Sequence, residues 1–149
     1  MDNNIKDLLE IWETKIDTDK LKELAKKLMN EYCIYNGQYH YRPIEIEFYI
    51  YDKDKHADEH VYYRNKKAGE LFFHYSGMDI CFESSSPQPN NGNKDVRFGG
   101  ILIRALERIG SDNQLFGGPL VCMCEIERSF SAVEKQNYKC RRHCEIRPS

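Results

Sequence analysis

The chain has 149 residues, 31% charged and 12% aromatic, with a net charge of −2. That length builds about one domain, burying roughly two thirds of the surface an unfolded chain exposes. The near-neutral balance argues against strong non-specific nucleic-acid binding driven by a lysine and arginine surplus while leaving room for local patches, and no apolar run is long enough to cross a bilayer. The opening MDNNIKDLLE has neither a basic start nor an apolar signal core. The expected compartment is therefore the cytoplasm, where six cysteines are reduced thiols rather than a disulfide framework. Ten tyrosines against one tryptophan supply amphipathic rings suited to a cleft.

Taken in chain order, Ile5, Leu8, Leu9, Ile11 and Trp12 predict a short amphipathic helix. A second follows, capped by Thr18, with Leu21, Leu24, Ala25, Leu28 and Met29 on one side and Lys20, Lys22, Lys26 and Lys27 on the other. Together these predict helices within 3–31. Those lysines read first as a solvated outer face and second as a track for phosphates.

From Pro43 to His60 the chain reads PIEIEFYIYDKDKHADEH. Strict alternation predicts a strand with Ile44, Ile46, Phe48 and Ile50 on one face and Glu45, Glu47, Tyr49 and Tyr51 on the other. After a charged loop, ELFFHYSGMDICFESS forms two extended runs around Ser76 and Gly77, a hairpin in which glycine takes the positive backbone angle of the turn. Ser84 to Arg97 has turn-rich composition without periodicity and reads as a surface loop. GGILIRALERI, from Gly99 to Ile109, begins like a buried strand. From Leu120 the signals conflict, because VCMCEI alternates like a strand while Pro119 and SFSAVEKQ suit helices. The order predicts an α+β fold, a single domain with a mixed, mainly antiparallel curved β-sheet flanked by helices.

The strand face carries the first candidate chemistry. Glu47 lies between Glu45 and Tyr49 on that face, where partial burial favours a general base, whereas Glu45 sits nearer the strand end in water. A half-exposed strand with polar residues outward explains the same alternation without any function. His56 and His60 are four residues apart, but DKDKHADEH has no apolar face to anchor a helix and does not match HExxH. One of them folding over the strand face to stack on a ligand is the functional reading, and an exposed loop histidine is the plain one. Cys122, Cys124, Cys140 and Cys144 would supply a tetrahedral zinc site if brought together, with Cys122 and Cys124 on one side of a strand, yet CxC followed by CRRHC matches no common finger spacing. The working expectation is no metal. Lys139, Arg141, Arg142 and Arg147 make the end basic, as a solvated tail or a phosphate contact. There is no phosphate loop, no GxSxG elbow and no dinucleotide fingerprint, which argues against triphosphate and hydride chemistry.

Several separated pieces occur in the order found in the alkyladenine (3-methyladenine) DNA glycosylase family. They are EIEFY at Glu45 to Tyr49, a histidine-bearing loop, AGELFFHYSGMDICFESS at Ala68 to Ser85, GGILIRALE at Gly99 to Glu107, and GGP at Gly117 to Pro119. The chain resembles that family over about residues 43–120, a core between the N-terminal helices and a cysteine-rich segment, 121–149. The resemblance implies a DNA repair N-glycosylase without a cofactor, in which Glu47 activates water and Tyr49 stacks on an extruded purine. It implies that His56 or His60 packs against that base and that the hairpin Ser76, Gly77, Met78 and Asp79 faces the nucleic acid; Glu45 and Arg104 are candidate supporting residues beside Glu47. Such enzymes read an unstacked base by aromatic sandwiching. Ser76 stands where the family has a tyrosine completing the sandwich, and Asp79 stands where it has the tyrosine that wedges into the minor groove. Those departures favour a second reading, a non-catalytic module binding a nucleic acid, nucleotide or protein. A zinc-stabilised interaction protein is the third.

Overall fold

Helix α1 spans Thr18–Glu31, and its helical spacing buries Leu24 and Leu28 while Lys20, Lys22 and Lys26 stay exposed, as the sequence predicts. Each fully buried leucine contributes about 1.5–3 kcal/mol relative to an exposed one. The computed structural model describes residues 5, 9, 10, 18–85, 96–128 and 145–148. Of the first expected helix, Ile5 and Leu9 are described, and both are buried in the core. Its other apolar positions lie outside the described residues.

The strands that follow are β1 (Tyr32–Tyr35), β2 (His40–Asp52), β3 (Leu71–His74), β4 (Gly77–Cys81), β5 (Arg97–Ile109), β6 (Leu115–Gly117) and, at the end, β7 (Glu145–Pro148), with helix α2 (Pro119–Glu127) after β6. They form one curled sheet in the order β3-β4-β5-β2-β1-β7, and β6 pairs with β5 off that path. Every pairing among the described strands is antiparallel, so the expected α+β class holds and the expected mixed sheet does not. The hairpin expected around Gly77 is β3–β4, with His74 opposite Gly77 and Tyr75 and Ser76 in the turn. Gly77 has φ 154°, and a Cβ there would lie 2.7 Å from the Cβ of Pro119.

The core lies on one sheet face, where Ile46, Phe48, Ile50, Met78, Ile80, Ile101 and Ile103 meet Leu24, Leu28 and Ile126. The alternation expected along β2 holds from Ile46 to Tyr51 but not at Ile44, which is exposed. The register skips Ile44 between Pro43 and Glu45 and skips Arg104 on β5 between Glu45 and Ile46. These paired irregularities shift the phase of both strands, so Tyr41 and Pro43 face inward before the break and Ile46 after it.

The conflict after Leu120 resolves as helix α2, opened by Pro119, whose fixed φ and missing N–H suit a first turn. Cys122 is consequently buried and Cys124 exposed, on opposite sides of a helix rather than together on one side of a strand. Asn36 and Glu125 fasten α2 to the sheet. The amide of Asn36 donates to the carbonyl of Ile126 at 3.2 Å, and the hydroxyl of Tyr41 donates to Glu125 at 3.0 Å. Arg147, read as part of a basic tail, belongs instead to β7, where its guanidinium lies 4.1 Å over the ring of Tyr35. Residues 86–95 of the expected surface loop, and Cys140, Cys144, Lys139, Arg141 and Arg142, lie outside the described residues.

Burial pushes the thiols of Cys81 and Cys122 up to about 11 and raises that of Cys33. Iodoacetamide at mildly alkaline pH is therefore expected to modify Cys124 in the folded protein before Cys33, Cys81 or Cys122. Peptide mapping with and without denaturant checks this ordering.

Candidate active site

The face opposite the core carries the polar chemistry. Residues directly opposed across antiparallel strands share a face. Glu47 of β2 opposes Leu102 of β5, Leu102 opposes Asp79 of β4, and Asp79 opposes Phe72 of β3. One step along, Tyr49 opposes Gly100. The loop between β2 and β3 crosses these rows and encloses a cavity of about 370 Å³. Tyr49, Leu102, His74, Ser76 and Asp79 line it from the sheet and hairpin, and Glu59, His60, Tyr62 and Arg64 line it from the loop.

Both oxygens of Glu47 have a neighbour at the edge of this cavity. The hydroxyl of Tyr49 donates to Oε2 at 3.0 Å, and Nη1 of Arg104 lies 3.3 Å from Oε1. Sharing its proton with Glu47 is the main reason the Tyr49 hydroxyl ionises above its ordinary range, with burial second. Nε of Arg104 lies 3.8 Å from Glu45, so one cation serves two carboxylates. Glu47 remains about 40% exposed, within reach of water. A carboxylate oriented by a hydroxyl and a guanidinium at the wet edge of an aromatic cavity can accept a proton from a water molecule placed against a ligand.

Under the loop, Arg64 and Asp79 form a buried ion pair, their side chains only 1% and 3% exposed. Nε of Arg64 donates to the carbonyl of Tyr62 at 3.0 Å, and the guanidinium lies 4.5 Å from the ring centroid of Phe72. Asp79 Oδ1 is 3.2 Å from Nε2 of His74, and Nδ1 of His74 is 2.9 Å from Oγ of Ser76. A continuous chain, Arg64–Asp79–His74–Ser76, thus runs from the interior to the cavity. Gly100 makes room for it, because a Cβ there would lie 2.8 Å from Nη1 of Arg64 and 2.8 Å from the carbonyl oxygen of Ile80. Gly100→Ala is expected to destabilise the protein by about 1–3 kcal/mol, read from the midpoint of urea unfolding.

The rim is aromatic. Tyr75, at the hairpin turn, is 80% exposed, and its hydroxyl bonds to that of Tyr62, whose ring centroid lies 5.1 Å from that of His74. Sharing that proton raises the pKa of Tyr75.

Among the residues singled out from the sequence, Tyr49, His60, Ser76 and Asp79 line one cavity, with Glu47 hydrogen-bonded to Tyr49 beside it. Arg104 and Glu45 adjoin Glu47. His60 is 90% exposed at the rim, its Nδ1 3.1 Å from Asp58. His56 bridges to Asp52 and does not line the cavity. The hairpin differs from the expected DNA-facing tip. Met78 is fully buried because its position alternates with Ile80 on the core face, and Asp79 is drawn inward by Arg64. Gly77 packs against Pro119, and the exposed residue of the turn is Tyr75.

Sequence reading missed Arg64, His74 and Tyr62. A carboxylate between Met78 and Ile80 in an apolar strand is the signal that calls for a buried cation, since an unpaired charge there is prohibitive. No group of three or more histidine, cysteine or acidic residues among the described residues is placed to hold a metal ion, and the helix separates Cys122 from Cys124. No helix among the described residues is long and apolar enough to cross a membrane. Set beside known proteins, the chain matches no family model, no curated protein and no solved structure.

Proposed function

We propose that this chain is a divergent, glycosylase-like member of the alkyladenine DNA glycosylase family, a monofunctional DNA N-glycosylase of the cytoplasm. It hydrolyses the glycosidic bond of an extruded alkylated or deaminated purine without a cofactor. The observation that carries this reading is Glu47, held by Tyr49 and Arg104 at the edge of a cavity walled by Tyr49, His60 and His74. On this reading a purine ring stacks on those walls with its sugar directed toward Glu47, which adjoins the lining residue Tyr49. Glu47 takes the proton of a water that attacks the anomeric carbon, and the base leaves with the electron pair of the broken bond. Arg104 keeps the carboxylate oriented.

Release of free purine from alkylated and from deaminated oligonucleotides, single-stranded and duplex, is the deciding assay. Release by the folded wild-type protein supports the reading, and absence of release from every substrate retires it. The second reading, a module that binds the same ligand without cutting, draws on the hairpin, where the interior placement of Met78 and Asp79 leaves no wedge at those positions. Binding of the oligonucleotides without release would favour it.

A further inference from the structure

We infer that the site also hydrolyses free purine nucleosides, whose sugar carries hydroxyls where an oligonucleotide carries phosphates; this rests on the glycosidic chemistry assigned to Glu47 above. The cavity, about 370 Å³, falls in the range of about 300–1,000 Å³ that encloses small molecules. Loop and hairpin both line it, and on the rim the bonded hydroxyls of Tyr62 and Tyr75 tie the two together. With a base between the walls and its sugar toward Glu47, the 3′ and 5′ oxygens fall at the rim.

That rim is acidic. Glu47 is about 40% exposed on the β2 side. Glu59 lines the cavity from the loop and is exposed, and its carboxylate has no partner among the described residues. Asp58 beside it holds Nδ1 of His60 at 3.1 Å. The two guanidiniums nearby are already engaged, Arg64 by Asp79 under the loop and Arg104 by Glu47 and Glu45. Lys53 and Lys55 of the same loop do not line the cavity. A carboxylate accepts a hydrogen bond from a hydroxyl but repels a phosphate. Glu59 therefore suits a sugar with a free hydroxyl and disfavours the same sugar phosphorylated.

For 7-methyl-2′-deoxyguanosine, a cation, the step balances without a further reactant. Water forms the new bond to the anomeric carbon and gives a proton to Glu47. The bond from that carbon to the base nitrogen breaks, and its electron pair stays on the base, which leaves neutral. Glu47 then passes its proton to solvent. One nucleoside cation and one water are consumed, and one base, one deoxyribose and one proton are formed.

The test measures 7-methylguanine release from this nucleoside, from its 5′-monophosphate and from a single-stranded oligonucleotide containing it, each against a blank without protein. Nucleoside release is expected with kcat/KM about 5-fold above that of the monophosphate, and Glu47→Gln is expected to remove it. Glu59→Lys should cancel that preference at low ionic strength, with less effect as salt rises, while Glu59→Asp keeps it. Glu59 is exposed, so these variants fold. Release from the oligonucleotide with the nucleoside at the blank rate would overturn the inference and leave the glycosylase reading intact. A monophosphate preferred to the nucleoside, or a ratio that Glu59→Lys does not move, would also overturn it. Nucleoside release without oligonucleotide release upholds it and retires the DNA reading, and release from none of the three overturns both.

Discussion

Glu47→Gln is expected to slow base release by about 10²–10⁴-fold, the usual contribution of a positioned general base, with oligonucleotide affinity retained. The substitution removes the proton acceptor but nearly preserves shape. The amide oxygen still accepts from the hydroxyl of Tyr49, which donates to Oε2 at 3.0 Å in the native protein. The loss of attraction to Arg104 affects stability little, because both side chains are more than a third exposed and surface pairs contribute only about 0–1 kcal/mol. Single-turnover release and fluorescence anisotropy, run on the same preparations, separate chemistry from binding. A variant that releases base at the wild-type rate removes Glu47 from the mechanism, and one that loses binding and chemistry together makes it a binding residue instead.

Arg64→Ala carries the other large expectation, a loss of about 3–5 kcal/mol of folding stability. The charge of Asp79, 3% exposed, would lose the only guanidinium it pairs with among the described residues, and the ring of Phe72 would lose the cation packed on it. A typical domain is stable by about 5–15 kcal/mol, so the variant is expected to unfold at markedly lower urea concentration. Replacing both partners with apolar residues, Arg64→Met with Asp79→Leu, should recover most of the loss, because the penalty arises from orphaning one charge rather than from losing the attraction. Equilibrium urea unfolding of the two single variants and the double variant completes the cycle. Independent, additive losses would show that the pair is not coupled as the geometry indicates.

Period carried the reading furthest where one face is buried and the other is not. Helix α1, the central part of β2 and the β3–β4 hairpin follow directly from the spacing of their apolar residues. Strand β1 has four residues and follows α1 without a loop, too short for alternation to declare itself. In α2 the run VCMCEI alternates by accident, and tertiary packing of Cys122 and Ile126 with the first-turn proline decides for helix. On the site side, Glu47 and Tyr49 are legible as neighbours on one strand face. Arg64, His74 and Asp79 converge from a loop and two strands. His74 and Asp79 are five residues apart in one hairpin, whereas nothing local encodes the arrival of Arg64, 15 residues before Asp79, apart from the misplaced look of an aspartate among apolar residues.

The skipped residues Ile44 and Arg104 have a consequence for insertions and deletions. Without Ile44, the inward positions Tyr41, Pro43, Ile46, Phe48 and Ile50 would fall into unbroken alternation, and the same holds on β5 for Ile101, Ile103 and Leu106 without Arg104. A chain shortened by one residue in each strand would keep every core side chain facing inward and would make a more regular sheet. It would also lose the guanidinium beside Glu47. The lengths of β2 and β5 are therefore tied to the site rather than to the core, and a matched pair of deletions, invisible to hydrophobic packing, would separate folding from function.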